Sequence, residues 1–245
     1  MERGADMTDR PIIFSGPMVR ALLEGRKTQT RRMLKDRGSL PNYCGGRYDD
    51  KSDLSNWGWE DHDRGEWITL DQFKTYRFVP CSPGDRLYVR EAFRCNGWAT
   101  DVVSIFYRAS EGDGYTAMCE QFPVEGKKPL RPDGKWSPSI HMPRWASRLT
   151  LTVTDVRVQR LQDISQEDAV SEGVERLHGG YHDDDDVYLN YLVKSDGFGG
   201  SGAGRASFRT LWNSLHGIDA WEANPWVYAV SFNVQRGNID QSQES

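Results

Sequence analysis

The segment Gly25-Arg26-Lys27-Thr28-Gln29-Thr30-Arg31-Arg32 places four cations, two hydroxyls and an amide in eight positions. Those residue types allow two kinds of chemistry. A lysine in a pocket that disfavours the ammonium becomes a base near neutral pH, and a threonine hydroxyl beside such a base becomes a nucleophile. Alternatively, Arg26, Lys27, Arg31 and Arg32 bind phosphate and nothing more, with Thr28 and Thr30 present as strand formers. Residues 27 and 30 project to opposite faces of a regular strand. Lys27 and Thr30 therefore converge only if Lys27 lies in the turn before the strand or a bulge intervenes, and Gly25 suits such a turn.

A second cluster of chemistry-bearing residues is Ser139-Ile140-His141-Met142-Pro143-Arg144-Trp145. His141 can titrate near neutral pH, Trp145 can stack on a base, and Arg144 can pair with phosphate. The plainer alternative puts Trp145 in the core and Arg144 on the surface. Arg90-Glu91, at a strand end, forms either an internal ion pair or a pocket wall, and the wall is the preferred expectation. Cys44, Cys81, Cys95 and Cys119 show no C-x-x-C spacing, and the five histidines are scattered. No metal site and no cofactor is expected.

These residues need elements to position them. Residues 11–14 form a short β-type run. Gly16-Pro17 opens a helix with Met18, Leu22 and Leu23 at helical spacing, and Gly25 ends it. A β-prone stretch follows over 28–33. Pro83-Gly84-Asp85 is a turn before a strand over 86–90, and 102–107 is another strand. Residues 148–161 alternate apolar and polar side chains as a long half-buried strand. Ser165 followed by Asp168 reads as a capping box with Asp in place of Glu, opening a helix that Gly173 ends. A helix over 206–216 carries Phe208, Leu211, Trp212 and Leu215 on one face, and 225–234 is a closing strand. Polar or Gly-rich insertions are expected at 36–66, 110–137 and 178–205. Of these, the first holds Trp57 and Trp59 and borders Trp67, either as a lid or packed to the body. Residues 1–10 read as a disordered arm, 11–235 as one domain and 236–245 as a polar tail. Strands that do not alternate regularly with helices fit an α+β barrel better than a doubly wound sheet.

Composition narrows the function. A net charge of −5 argues against a non-specific nucleic-acid coater, which would be basic. The charge is uneven: residues 10–37 and 127–160 each hold eight Lys/Arg against two acids. A locally basic face on an acidic whole suits one nucleotide or a short strand. There is no apolar run near eighteen residues and no apolar signal region, so the expectation is a cytoplasmic protein with reduced thiols and no membrane partner.

The basic segment resembles the ASCH family, whose motif is Gly-x-Lys-x-x-Glu-x-Arg after a short helix. Gly25, Lys27 and Arg32 match, while position 30 holds Thr in place of Glu. The small bacterial N4-acetylcytidine amidohydrolases of that family share this departure, reading Gly-Arg-Lys-Thr-x-Thr-x-Arg. Gly84-Asp85 before a strand resembles the family's G-D-x-L-x-V element, and Ala169-Val170-Ser171-Glu172-Gly173 resembles its A-x-x-E-G helix. Residues 10–32 and 139–148 are similar to those of phage and prophage ASCH proteins. The resemblance implies a PUA-like small mixed β-barrel with flanking helices and long loop insertions, binding RNA or modified bases. Through the amidohydrolases it implies a catalytic set of Lys27, Thr30 and Glu172, with Arg32 on a phosphate or base edge. In that set Lys27 is the base, Thr30 supplies the hydroxyl, and Glu172 positions water or protonates the leaving amine. A Lys27–Glu172 ion pair would keep the lysine charged and spoil it as a base. The expected partner is a nucleoside or single-stranded RNA. The expected function is base handling without catalysis, with amide hydrolysis of N4-acylated cytidine and RNA cleavage as the alternatives.

Overall fold

A computed structural model describes residues 8–34, 41–46, 50, 53–61, 65–69, 79–111, 119–177, 187–192, 200–201 and 203–241. In chain order the elements are β1 (Asp9–Ile13), α1 (Gly16–Leu23), β2 (Gln29–Met33), β3 (Asn42–Tyr43), β4 (Trp57–Asp61), β5 (Glu66–Thr69), β6 (Arg86–Arg90) and β7 (Phe93–Trp98). They continue with β8 (Val102–Tyr107), β9 (Cys119–Pro123), β10 (Leu149–Arg160), α2 (Gln166–Ser171), β11 (Arg176–Leu177), β12 (Val187–Leu189), β13 (Gly200–Ser201), α3 (Gly204–His216) and β14 (Trp226–Arg236). The fold is mixed α+β and dominated by sheet. Among the described residues no sheet closes on itself, and no helix is long and apolar enough to cross a membrane. The chain divides into two compact units, 1–28 with 84–154 and 232–245, and 29–83 with 155–231.

In the first unit β1 runs parallel to β6, from Asp9 beside Arg86 to Ile13 beside Arg90. β6 in turn pairs antiparallel with the start of β10. The Arg86 guanidinium grips Asp9 through two bonds of 2.9 Å, and Arg144 binds both Asp9 and Asp240 at 2.6 Å. Ile239 is fully buried, and Asn238 donates to the carbonyls of Arg144 and Ser147. Two expectations change here. Residues 9 and 10 of the arm belong to β1, and the tail packs as far as Gln241 because the buried Ile239 side chain, the Arg144–Asp240 ion pair and the Asn238 hydrogen bonds fix it. β7, β8 and β9 form an antiparallel meander. Its inward side chains, Phe93, Cys95, Val103, Ile105 and Tyr107, pack with Met142 and Ala146.

In the second unit β14 pairs antiparallel with β2, from Val227 beside Met33 to Ser231 beside Gln29. The end of β10 lies along β14, closed by the Leu161 N–H donating to the Pro225 carbonyl at 3.0 Å. Helices α2 and α3 pack closely at Gly204, where a Cβ would stand 2.7 Å from Val170 Cγ2. Residues 36–66 hold more regular structure than expected, because β3, β4 and β5 form a three-stranded sheet. Gly58 is required there, since a side chain would run into the Ile68 carbonyl. Trp59 is buried beside Trp226, and Trp57 meets Trp226 edge-on at 5.2 Å, so both tryptophans pack this insertion to its unit. The other two insertions also contain strands, β9 in one and β12 and β13 in the other. The Asp run at 183–186 lies outside the described residues.

Candidate active site in the basic motif

Helix α1 closes as its sequence dictates. Gly25 takes a positive φ of 74°, and the N–H groups of Arg26 and Lys27 both turn back to the Ala21 carbonyl, at 2.9 and 3.0 Å. Lys27 therefore lies in the turn ahead of β2. Its side chain is not on the surface: the residue is 2% exposed, and Nζ sits 5.5 Å from the centroid of the Phe14 ring. An ammonium over an aromatic face gains from the ring quadrupole, but it is also removed from water. Arg26 points outward and donates to Glu24 at 2.7 Å.

In the second unit the first three residues of β2 are buried, although all three are polar. Gln29 and Arg31 share a face, as alternate strand residues must, and that face meets α2. The Arg31 side chain is wholly buried. Its Nη2 donates to Asp168 at 2.7 Å and its Nη1 to Glu172 at 3.0 Å, with a further Nη1 bond to the Gln29 amide oxygen. The Gln29 amide nitrogen donates to Asp168 at 3.2 Å and to the Ser231 hydroxyl at 3.0 Å. Arg157 approaches Asp168 from the solvent side at 3.2 Å. Burial pulls the Asp168 carboxyl upward, but Arg31 and Arg157 together with the bonds from Gln29 and Arg31 outweigh it. Asp168 is thus held below the usual carboxylate range. One polar atom is left over, since Arg31 Nε is buried without a hydrogen-bond partner.

Glu172 is the C-cap of α2 and is followed by Gly173 at φ 86°. The structure joins it to Arg31, a partner the sequence did not suggest. Thr30 alternates with Gln29 and Arg31 along β2 and stands outside this network. It is 4% exposed, and its hydroxyl makes no hydrogen bond among the described residues. Arg32 is half-buried next to Tyr228 in register. His216 is held below its ordinary range, by burial first and by the charge of Arg32 second. Arg31 is not the phosphate contact expected of it, because its fork is filled by protein carboxylates.

The second cluster is mostly structural. Arg144 is committed to Asp9 and Asp240, which leaves it no phosphate role in this arrangement. Trp145 packs on the core of the meander, 5.5 Å from Phe122 and 6.5 Å from Trp98, as the plainer reading had it. His141 is exposed in a short 3-10 turn. Arg90 donates to the Met142 carbonyl at 2.7 Å. Glu91 is not a pocket wall but half of a buried pair, gripped by Arg148 through bonds of 2.8 and 3.0 Å. Arg148 also lies 4.1 Å over the Tyr107 ring. Burial pushes the carboxyls of Glu91 and Glu120 and the Tyr107 phenol upward.

Sequence reasoning missed Gln29, Arg157, Asp168 and Ser231. The sequence reads Asp168 only as part of a cap. Its N–H does accept that role, bonding Ser165 Oγ at 3.0 Å, while its carboxylate turns to the arginines instead of back to the helix start. The available signal was Asp168 and Glu172 at i and i+4, which share one helix face.

Among the described residues no group of His, Cys, Asp or Glu could hold a metal ion. Comparison with protein-family models finds no matching family, and comparison with curated proteins and with solved structures finds no matching relative.

Proposed function

We propose that this chain is an ASCH-type protein of PUA-like build that handles a nucleobase, free or in single-stranded RNA, in the cytoplasm, with the motif at 25–32 as its centre. One observation carries the reading. Lys27, Gln29, Thr30 and Arg31 are 2%, 5%, 4% and 4% exposed. A basic segment that served only as a phosphate patch would hold its cations in water, where they meet phosphates. Burying four polar side chains within five positions costs desolvation that stability alone does not require. Buried ionisable groups, here Lys27 and Arg31, are typical of functional sites.

Amide hydrolysis is the second reading, favoured by the unbonded hydroxyl of Thr30 and by the fixed carboxylate of Glu172. In it Lys27, as the neutral amine, takes the Thr30 proton while Oγ1 bonds to the acyl carbon of an N4-acylcytidine. The C–N4 bond then breaks, and the amine leaves with the proton that Lys27 took from Thr30, while the Glu172 carboxylate orients the incoming water. Water hydrolyses the resulting ester, releasing the acid and restoring the hydroxyl.

Incubation with N4-acetylcytidine and, separately, with labelled single-stranded RNA tests both readings. Deacetylation that disappears in Lys27→Ala and Thr30→Ala supports hydrolysis. Saturable binding without turnover, weakened at least tenfold in Lys27→Ala, supports base handling alone. RNA shortened equally by wild type and Lys27→Ala would remove the motif from the function.

A further inference from the structure

The loop between β9 and the 3-10 turn at Ser139–His141 borders an open cavity that plays no part in the reading above. Its start is pinned by the Val124 N–H on the Asp101 carbonyl at 3.1 Å. Its end runs along the free edge of β7. There the Gly134 N–H donates to the Cys95 carbonyl at 3.1 Å, and Phe93 and Ser137 exchange two backbone bonds of 3.2 and 2.7 Å. Trp136, between the lining residues, is clamped by Arg94 at 4.8 Å and by Arg108 at 5.8 Å. Asp133 folds the loop tip by accepting from the Lys135 N–H at 3.0 Å, and Gly134 supplies the positive φ of 66°. The space between loop and strand is therefore preformed.

It measures about 260 Å³, and Cys95, Leu130, Arg131, Asp133, Lys135 and Ser137 line it. Arg86, Arg144 and Arg148 of the same unit are each bound to carboxylates. By contrast, Arg131 and Lys135 make no ion pair among the described residues. Two uncommitted cations at one small cavity favour a compact dianion. The Asp133 carboxylate and the Ser137 hydroxyl can meet ligand hydroxyls, and Leu130 offers an apolar wall. The volume lies below the range of about 300–1,000 Å³ for drug-sized ligands, so it admits one nucleotide-sized molecule and not a longer strand.

We infer that this cavity binds a small phosphate monoester on a hydroxylated carbon skeleton, a mononucleotide or a sugar phosphate, with Arg131 and Lys135 holding the phosphate. The inference does not depend on the function proposed for the motif at 25–32. Isothermal titration of the full chain with adenosine 5′-monophosphate, ribose 5-phosphate, adenosine and inorganic phosphate tests it. Both phosphate esters should bind at least tenfold more tightly than adenosine or inorganic phosphate. A preference for the nucleotide over the sugar phosphate would identify the nucleotide as the source, and equal affinity the sugar phosphate. The exposed double variant R131A/K135A, checked for folding by circular dichroism, should lose at least tenfold in affinity for ribose 5-phosphate, which carries no base and so does not report on the motif at 25–32, while the surface variant Arg209→Ala should bind as wild type does. Two results would overturn the inference: no binding of either ester at millimolar concentration, or affinity for ribose 5-phosphate unchanged in R131A/K135A. Inorganic phosphate binding as tightly as the esters would reduce the site to an adventitious anion contact and would also overturn it.

Discussion

Arg31 shows how one residue type serves opposite ends. In the sequence it is one of four cations in eight positions, and a phosphate contact is the natural expectation. In the fold its guanidinium is the centre of a closed polar network with Gln29, Asp168 and Glu172. Removing one partner from such a network leaves a buried charge uncompensated, which typically costs about 3–5 kcal/mol. Asp168 is the partner whose contribution can be followed by pH. Its carboxyl titrates below the ordinary value of 3.8 in the folded chain. Its stabilising contribution is therefore complete above the unfolded value and is lost as the pH falls through the lower folded one. Asp168→Asn should be less stable than wild type at pH 7 and should lose less additional stability between about pH 4 and pH 2. Urea midpoints measured across that window check this. Parallel acid limbs for the two proteins would show that Asp168 is not held in its charged form by the arginines.

At the scale of elements, α2 carries both carboxylates of the network, and α3 holds α2 in place. The closest approach between the two helices is at Gly204, where there is no room for a methyl group beside Val170 and Gln166. Gly204→Ala should therefore destabilise by about 1–3 kcal/mol through overpacking, despite the better helix propensity of alanine. Val170→Ala in the same chain should recover part of that loss, because the clash is with the Val170 Cγ2 methyl. A double-mutant cycle by thermal unfolding measures the coupling. A zero coupling energy would mean that the helices separate freely and that α2 is held by other elements. The network itself reads out the same displacement, since a shifted α2 carries Asp168 and Glu172 away from Arg31.

For the whole molecule, charge bears on the proposed partner. The chain carries −5 overall, and the cations Lys27 and Arg31 of its basic motif are buried. Binding of single-stranded RNA through that motif should release few counterions. The slope of log K against log salt should be no steeper than about −1.5, equivalent to about two phosphates at roughly 0.7 each. Filter binding between low and moderate salt measures it. A slope near −4 would indicate a long track of backbone contacts elsewhere on the surface and would count against the motif as the main binding element.

By itself the sequence determined the local structure where one periodicity or one cap was decisive. The strands over 86–90 and 102–107, the long alternating strand ending near 160, the Ser165 cap, and the turn at Gly25 that sets Lys27 before β2 are local consequences of side-chain alternation and glycine geometry. The segment at 36–66 was harder to read because its polar and Gly-rich composition hides the alternation of Trp57 and Trp59, whose partner Trp226 is distant in sequence. The same holds for the site. Residues 25–32 announce chemistry by type. Whether a given cation faces water or a carboxylate depends on α2, about 140 residues further along the chain. Tertiary structure alone paired Arg31 with Asp168 and Glu172, Arg148 with Glu91, and Arg144 with Asp9 and Asp240. It also left Arg131 and Lys135 uncommitted beside a cavity. A side chain's charge is written in the sequence, but the partner that neutralises it is chosen by proximity in space, and a charged residue type carries no mark of that choice.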